Sequence, residues 1–140
     1  TGRVRVVREY DPEVPAVSGD ADRLAQVFLN LVRNGVEAME AGGDLTIRTR
    51  FERSAPQCGG RAAALVEVVD RGPGIAGEVQ PQIFNPFFTT KATGTGLGLP
   101  ISLRIVEEHG GAMEAESRVG EGSTFRVWLP LAGAEGGVTE

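Results

Sequence analysis

A long amphipathic segment over residues 21–41 constrains the fold of this chain more than any other part of the sequence. Its apolar and small residues recur at three- and four-residue steps, which predicts an α-helix with one buried face. Asp20 precedes the segment as an N-cap, Asp22 lies where the helix dipole favours a carboxylate, and Gly42-Gly43 ends it. The residues of the buried face are Leu24, Val27, Phe28, Leu31, Gly35 and Met39.

Strand patterns and one further helix pattern surround this segment. The predicted elements are strands over 3–9 and 14–18, the first helix, strands over 44–53 and 63–71, a helix over 97–109, and strands over 112–117 and 123–131. The connection at 54–60 is expected to face solvent, with Cys58 as an ordinary loop residue. This order predicts an α+β fold, a two-layer sandwich in which helices cover one face of a mixed, mainly antiparallel sheet.

Composition narrows the class of protein. The chain has 140 residues, 41% of them hydrophobic, and a net charge of -5, which is typical of one globular domain and argues against a nucleic-acid partner. A single cysteine excludes an intrachain disulfide and a cysteine-based metal cluster, and it is consistent with a reducing cytosol. No apolar run approaches the roughly 20 residues that span a bilayer, and the first residues lack the apolar core of a signal peptide. Because the chain opens directly on a strand pattern, we expect it to be part of a longer protein.

The first helix carries a polar face beside its apolar one. Asn30 and Asn34 lie one turn apart, and Glu37 joins them at helical spacing. Asparagine is a mediocre helix former, so two of them in mid-helix need an explanation. One interpretation is an ordinary solvated face; the other is a Mg²⁺ site, since this hard cation takes one or two protein oxygens and completes its shell with phosphate and water.

Asp70 ends an apolar strand and is followed by Gly72 and Gly74. A carboxylate in that position is costly unless a donor reaches it, and an adenine amino group is one such donor. The glycines would allow the backbone to approach a flat ring. The alternative is an aspartate that simply begins a Gly-Pro-Gly turn.

The chain is irregular over about 72–95, a length that is usually functional or mobile inside a compact domain. The stretch GTGLGLP at 94–100 then places glycines directly before a helix, where unpaired backbone amides favour an anion. It is neither a P-loop nor the dinucleotide fingerprint, because it lacks the following Gly-Lys-Ser/Thr and a preceding strand. On its own this glycine cluster is a weak signal.

Taken in order, NLVRNGVEAM at 30–39, DRGPGI at 70–75, IFNPFFTTK at 83–91 and GTGLGLPIS at 94–102 strongly resemble the ATP-binding catalytic domain of sensor histidine kinases. The resemblance is greatest to the nitrogen-regulation sensor kinases, which have a short ATP lid, and it covers essentially residues 20 to 130. It implies the Bergerat-type fold of the wider ATPase superfamily, with ATP and Mg²⁺ as cofactors. The domain would span 1–131 with the lid at about 76–95, and 132–140 would be a frayed tail.

The resemblance implies a role for each matching residue. Asn34 matches the Mg²⁺-coordinating asparagine, with Asn30 as its weaker companion, and Asp70 matches the carboxylate that recognises the adenine amino group. Lys91 would meet the terminal phosphates and take part in catalysis with Asn34. The other matches are Gly72, Gly74 and Ile75 beside the base, Phe84, Phe87 and Phe88 anchoring the lid, Thr89, Thr90 and Thr95 as hydroxyl donors, and Gly94, Gly96, Leu97, Gly98 and Leu99 at the phosphate-side helix start.

Two residues depart from the family pattern without removing a ligand. Gly35 replaces the usual alanine, which should weaken the helix by about 1 kcal/mol, and Arg71 stands where a small or polar residue is more common. The related hydrolases carry a water-activating glutamate where this chain has Asn30, so transfer to a supplied side chain is favoured over hydrolysis. Glu37 is interpreted as structural or as a support for the metal-binding asparagines, rather than as a catalytic base. His109, in a helix-end EEHGG setting, is interpreted as a helix-terminating residue rather than a phosphoacceptor.

The resemblance implies a protein-histidine kinase domain that transfers the γ-phosphoryl group of ATP to a histidine on a separate dimerisation domain preceding Thr1, for relay to a response-regulator aspartate. The full protein is expected to be a homodimer and this part a monomer that faces the cytosol. Two alternatives remain open at this point. One is a protein-serine kinase of the anti-sigma type, and the other is a non-catalytic nucleotide-sensing module of the same fold.

Overall fold

The computed structural model describes residues 3–12, 14, 17, 19–83 and 98–131. Two helices and five strands make up this part of the chain. They are β1 (Val4–Glu9), α1 (Ala21–Ala38), β2 (Gly43–Ala55), β3 (Arg61–Asp70), α2 (Gly98–Glu108), β4 (Ala112–Arg118) and β5 (Gly122–Pro130), with short 3-10 turns at Pro56–Cys58 and Gln80–Gln82. Every helix and strand that the sequence predicted, apart from the short strand within 14–18, is therefore present.

The strands form one sheet in the order β1-β2-β3-β5-β4. β1 pairs with β2 in parallel, and the other three pairs are antiparallel. Both helices pack on the same face, where α1 contacts β2 and β3 while α2 contacts β4 and β5. The predicted α+β fold with a mixed, mainly antiparallel sheet is confirmed.

The helix α1 begins where the sequence predicted. The carboxylate of Asp20 accepts hydrogen bonds from the backbone N–H groups of Asp22 (3.0 Å) and Arg23 (3.2 Å). The helix ends at Ala38, about three residues before the predicted limit, because Met39 leaves helical geometry and donates its N–H to Val36. Leu24, Val27, Leu31 and Gly35 are buried toward the sheet, as the apolar periodicity indicated.

The ends of the two helices meet at His109. Its ring lies over Gly19, and its Nε2 accepts a hydrogen bond from the backbone N–H of Asp20. An ion pair between Arg23 and Glu108 joins the same two helix ends. His109 therefore ties the end of α2 to the start of α1.

The sheet face opposite the helices carries a second apolar cluster. Leu65 and Trp128 are cross-strand partners there, and the 3-10 turn after β2 folds back so that Cys58 covers them. Cys58 is only 2% exposed, and burial raises the pKa of its thiol against a smaller opposing effect of Arg61. The prediction that this connection faces solvent with Cys58 as an ordinary loop residue was wrong for Cys58, because its side chain is buried in this apolar cluster.

Beside that cluster, Glu67 is buried among three arginines on the same outer face. Arg126 on β5 (2.9 Å) and Arg48 on β2 (3.3 Å) bond its carboxylate, and Arg50 lies 3.4 Å away. Burial disfavours the charge of Glu67, but the arginines together outweigh it and lower the pKa of the carboxyl. The outer face is therefore held across three strands by charge as well as by packing.

Several sequence predictions concern residues that lie outside the described part. These are the aromatic and threonine-lysine part of the lid within 84–97 and the tail at 132–140. Of the predicted short strand at 14–18, only Val14 and Val17 are described, and Val17 forms an isolated bridge with Leu131. No helix in the described ranges is both long and apolar enough to cross a membrane.

Candidate functional site

Three of the segments singled out by the sequence contact successive turns of α1. Asn30 contacts the start of α2. One turn later Gly35 faces Asp70, since a Cβ built on Gly35 would lie 3.5 Å from the Cβ of Asp70. At the end of the helix the carbonyl oxygen of Ala38 would lie 2.7 Å from a Cβ on Gly72. The helix α1 thus carries the asparagine face and also contacts the strand-terminal Asp70 and the turn at Gly72.

The side chain of Asn30 is oriented by α2. Its amide Nδ2 donates to the hydroxyl oxygen of Ser102 at 3.1 Å and lies 3.5 Å from the carbonyl oxygen of Gly98. Gly98 itself packs against the Asn30 amide, because a Cβ there would lie 3.9 Å from Cγ. Asn30 is therefore engaged through its nitrogen end, which leaves the oxygen end as its potential ligand atom.

Asn34 lies one turn further along α1, on the same side of the helix, and is half-buried. Glu37 is exposed, beyond Asn34 toward the end of the helix. The described residues contain no group of three or more His, Cys, Asp or Glu side chains able to hold a metal. The oxygens of the Asn30 and Asn34 amides are of the kind that Mg²⁺ takes, beside oxygens supplied by a ligand and by water.

Asp70 is 5% exposed at the end of β3. Its carboxylate accepts a hydrogen bond from the backbone N–H of Gly72 at 2.9 Å, and the backbone of Ser123 also favours the ionised form. Burial outweighs both and raises the pKa of Asp70. The carboxylate thus has spare acceptor capacity in a desolvated place, which is the condition under which one further donor from a ligand is favourable.

The glycines after Asp70 allow other segments of the protein backbone to approach them closely. A Cβ on Gly72 would collide with the end of α1, and one on Gly74, whose φ is +80°, would collide with the carbonyl of Arg118. These contacts do not involve a ligand, so the expectation that the backbone at Gly72 and Gly74 comes close to a flat ring stays a prediction. Their conformations seat the turn between α1 and the β4–β5 hairpin.

The backbone of Ile75 is held on both sides within that turn. Its N–H donates to the hydroxyl of Ser117 at 2.7 Å, and its carbonyl accepts from the side-chain amide of Gln80 at 3.0 Å. The same amide also reaches the carbonyl of Ser117. The first part of the segment predicted to be irregular is thus braced, and Gln80 begins a 3-10 turn inside it.

The start of α2 supplies the third side of the site. Gly98 and Leu99 open the helix, and Leu99 packs against the main core. Backbone N–H groups in a first helical turn lack helical partners, although Pro100 contributes none. The other residues predicted here lie outside the described ranges: Phe84, Phe87, Phe88, Thr89, Thr90, Lys91, Gly94, Thr95, Gly96 and Leu97.

Sequence reasoning missed the polar residues that support the site, namely Ser102, Ser117 and Gln80. Ser102 had a usable signal, because it interrupts the buried stripe that it shares with Ile105 and Val106 at helical spacing. Ser117 and Gln80 had none, since the bonds from Ile75 to Ser117 and from Gln80 to Ser117 join segments that only the tertiary fold brings together.

Comparison with known proteins places the chain in a family. Residues 19–133 match the family model described as histidine kinase-, DNA gyrase B-, and HSP90-like ATPase. The sensory histidine kinase/phosphatase NtrB of Rhodobacter capsulatus is 42% identical over 135 residues, which are 93% of this chain and 38% of that protein. The chain thus spans less than two-fifths of the length of this relative.

Solved structures agree with this assignment. A nucleotide-free catalytic domain of the histidine kinase ThkA is similar with a TM-score of 0.76 and 36% identity, over 91% of this chain and 80% of that one. Full-length ShkA in complex with AMPPNP is similar with a TM-score of 0.73 and 31% identity, over 91% of this chain and 25% of that one. The resemblance to sensor histidine kinase catalytic domains is confirmed, and the chain belongs to the family of histidine kinase-, DNA gyrase B-, and HSP90-like ATPases.

Proposed function

We propose that this chain is the ATP-binding catalytic domain of a two-component sensor histidine kinase. In the whole protein it would transfer the γ-phosphoryl group of ATP to a histidine on a separate dimerisation domain, for relay to a response-regulator aspartate. The observation that carries the proposal is the arrangement along α1, where Asn30, Gly35 and Ala38 contact three segments of the predicted nucleotide site. The AMPPNP bound to the similar protein ShkA supports the choice of ligand.

Asp70 would recognise the adenine amino group. It is buried, its carboxylate has acceptor capacity beyond its bond to Gly72, and it lies directly across from Gly35 on α1. Burial deprives the carboxylate of bonds to water, and an adenine amino group would supply a hydrogen-bond donor in their place. The turn braced by Ser117 and Gln80 would keep the carboxylate and its neighbouring backbone in place before nucleotide arrives.

Asn34, with Asn30 as its weaker companion, would hold Mg²⁺ through amide oxygens. When bound, the ion would neutralise negative charge on the phosphates. Lys91 would approach the terminal phosphates from the lid, and backbone N–H groups at the start of α2 would bind phosphate oxygens. These residues bind and orient the nucleotide, so the chemistry rests on positioning and charge neutralisation.

Transfer to a protein side chain is favoured over hydrolysis. A hydrolase of this superfamily would need a carboxylate at the position of Asn30 to activate water. The amide of Asn30 cannot accept a proton in that role, and its nitrogen is already engaged by α2. Glu37 is exposed on the far side of Asn34 along the helix, away from that position.

The partners of the domain follow from the same proposal. They are the histidine-bearing dimerisation domain of the full-length protein, expected to be a homodimer, and the receiver domain of a response regulator. The catalytic domain itself is proposed to be a monomer that faces the cytosol. Its net charge of -5 gives no support to nucleic-acid binding.

The test is to incubate the full-length protein that contains this chain with γ-labelled ATP and Mg²⁺, then to examine the phosphorylated product. We expect a phosphoprotein whose label is lost in acid and retained in base, which is the behaviour of phosphohistidine. Acid-stable label would indicate a protein-serine kinase instead. Nucleotide binding without transfer would indicate a nucleotide-sensing module, and rapid release of inorganic phosphate would contradict the argument from Asn30.

A further inference from the structure

Residues 70–75 form a turn that leaves the end of β3 and crosses the start of β5 to reach the end of β4. Asp70 pairs with Ser123 on β5, and Ser123 pairs with Ser117 on β4. At the far end of the turn, the backbone N–H of Ile75 donates to the hydroxyl oxygen of Ser117 at 2.7 Å. Because neighbouring strands lie about 4.8 Å apart, Asp70 and Ser117 are separated by about 10 Å across the sheet. The turn therefore spans two strand spacings.

The β4–β5 hairpin holds the start and the middle of this turn. The carbonyl oxygen of Pro73 accepts a hydrogen bond from the backbone N–H of Gly120 at 2.8 Å. Gly122 lies so close to Asp70 that a Cβ built on it would be 2.1 Å from the carbonyl oxygen of Asp70. The position of the far end of the turn depends instead on the groups that bond Ile75.

Gln80 joins that far end to β4 through one side-chain amide. Its Nε2 donates to the carbonyl oxygen of Ile75 and to the carbonyl oxygen of Ser117, both at 3.0 Å. An amide nitrogen carries two hydrogens, whereas a carbonyl oxygen can only accept. The two contacts therefore establish that the nitrogen end of the Gln80 amide faces the turn, and they use both of its hydrogens.

We propose that Gln80 is a positioning residue for the nucleotide base. By holding Ile75 against the end of β4, it sets the separation between Ile75 and Asp70, the two ends of the turn beside which the base would lie. The inference rests on the proposed function, because it takes the adenine amino group to bond Asp70. Gln80 acts through the placement of the base and not by touching the nucleotide, since both hydrogens of its amide nitrogen are used within the fold.

The side chain of Gln80 can be replaced without removing the other supports of this segment. Backbone hydrogen bonds form the 3-10 turn that begins at Gln80, and Ile75 and Val79 pack against the main core. Ser117 is less suitable for a substitution, because its hydroxyl also bonds the carbonyl oxygen of Gly122 within the hairpin. Variants of Gln80 therefore test the position of the turn most directly.

The test measures the affinity for two nucleotides by calorimetry in the presence of Mg²⁺. One is AMPPNP, and the other is the same compound with an unsubstituted purine in place of adenine, which lacks the amino group proposed to bond Asp70. Gln80→Leu removes both donors, and Gln80→Glu keeps a similar shape but offers the two carbonyl oxygens only acceptors at neutral pH. Gln82→Leu is the matched control, because the Nε2 of Gln82 lies 3.5 Å from the carbonyl oxygen of Glu78 at an exposed position.

We expect the unmodified chain to bind AMPPNP more tightly than the purine analogue. Both Gln80 variants should bind AMPPNP about five- to tenfold more weakly, the size of one hydrogen bond. Their affinity for the analogue should stay within about twofold, because the analogue makes no bond to Asp70 that a displaced base could lose. Gln82→Leu should change neither affinity. Thermal unfolding of each variant reports whether the fold is retained.

Unchanged affinity for AMPPNP in both Gln80 variants would overturn the inference while leaving the proposed function standing. Equal losses of affinity for the two nucleotides would also overturn it, since they would indicate a general loosening of the site. Loss of the fold in both variants would show that Gln80 is needed for folding and not for placing the base. If the unmodified chain binds the two nucleotides equally well, the proposed recognition of adenine by Asp70 fails and the role of Gln80 fails with it.

Discussion

The Nε2 atom of His109 accepts a hydrogen bond from the backbone N–H of Asp20 at 3.0 Å, so the end of α2 is joined to the cap of α1. Because Nε2 accepts, the ring proton lies on Nδ1, which is 2.7 Å from the carbonyl oxygen of Ile105. Both ring nitrogens are thus used within the fold. A phosphoryl group on Nε2 would have to displace Asp20, which agrees with the interpretation of His109 as structural.

His109→Ala should lower the free energy of unfolding by about 1 kcal/mol, because two hydrogen bonds are lost and one of them lies at a solvent-accessible helix cap. Urea denaturation measures this change. The affinity for AMPPNP should remain within about twofold, since His109 lies at the opposite end of α2 from Gly98. Loss of nucleotide binding by a stably folded His109→Ala variant would contradict the structural role.

Asp70 gives a prediction about the pH dependence of stability. Burial raises the pKa of the folded carboxyl above its unfolded value of about 4, so the folded protein binds more protons than the unfolded chain just above that pH. The unmodified chain therefore loses stability as pH rises through the folded pKa. Asp70→Asn has no charge to bury and keeps an oxygen able to accept from Gly72.

The stability of Asp70→Asn relative to the unmodified chain should consequently increase as pH rises from about 4 and then level off above the folded pKa. Thermal unfolding of both proteins across this range measures the difference. A relative stability that falls with rising pH would show that the carboxylate gains more from its backbone partners than burial costs it.

Glu67 is expected to contribute to stability through its three arginines. Glu67→Gln should lower the free energy of unfolding by about 2 kcal/mol at neutral pH, because Arg126 and Arg48 lose charged hydrogen bonds. The folded pKa is lowered, so this contribution is present above about pH 4.3 and is lost as pH falls through the folded pKa. Chemical denaturation at neutral and acidic pH measures both effects.

Glu116→Gln is the matched control for Glu67, since Glu116 bonds the same Arg126 but is 61% exposed. Exposed ion pairs contribute little, so the control should cost less than about 1 kcal/mol. Equal losses from the two variants would indicate that burial of Glu67 adds nothing.

Gly35 is explained by a close approach that sequence alone does not reveal. A Cβ on Gly35 would lie 2.5 Å from Cδ1 of Leu45, which is itself fully buried. Gly35→Ala should therefore not give the gain of about 1 kcal/mol expected from helix propensity. In a Leu45→Val background, which removes that methyl group, the same substitution should stabilise by up to about 1 kcal/mol. A stabilising Gly35→Ala in the unmodified chain would contradict this account.

The helices, the strands and the polar face of α1 were predictable because their signals are local. Apolar periodicity and the Asp20 cap indicated α1 directly, and the four motifs indicated the site. Contacts between distant segments were not predictable. Nothing near Cys58 in the sequence indicates that it will be buried in one cluster with Trp128. Nothing near Gly74 indicates that Arg118 will occupy the space beside it. Such contacts depend on how β-strands far apart in the chain are paired.

The most direct test of the nucleotide site is a calorimetric titration of Asp70→Asn with AMPPNP and Mg²⁺, beside the unmodified chain and the control Asp44→Asn. Asp44 is an aspartate near the start of β2 that pairs with Arg5 at the surface. We predict measurable binding by the unmodified chain and the control, and none by Asp70→Asn. Normal affinity in a folded Asp70→Asn variant would contradict the assignment of Asp70 to adenine recognition and, with it, the site proposed along α1.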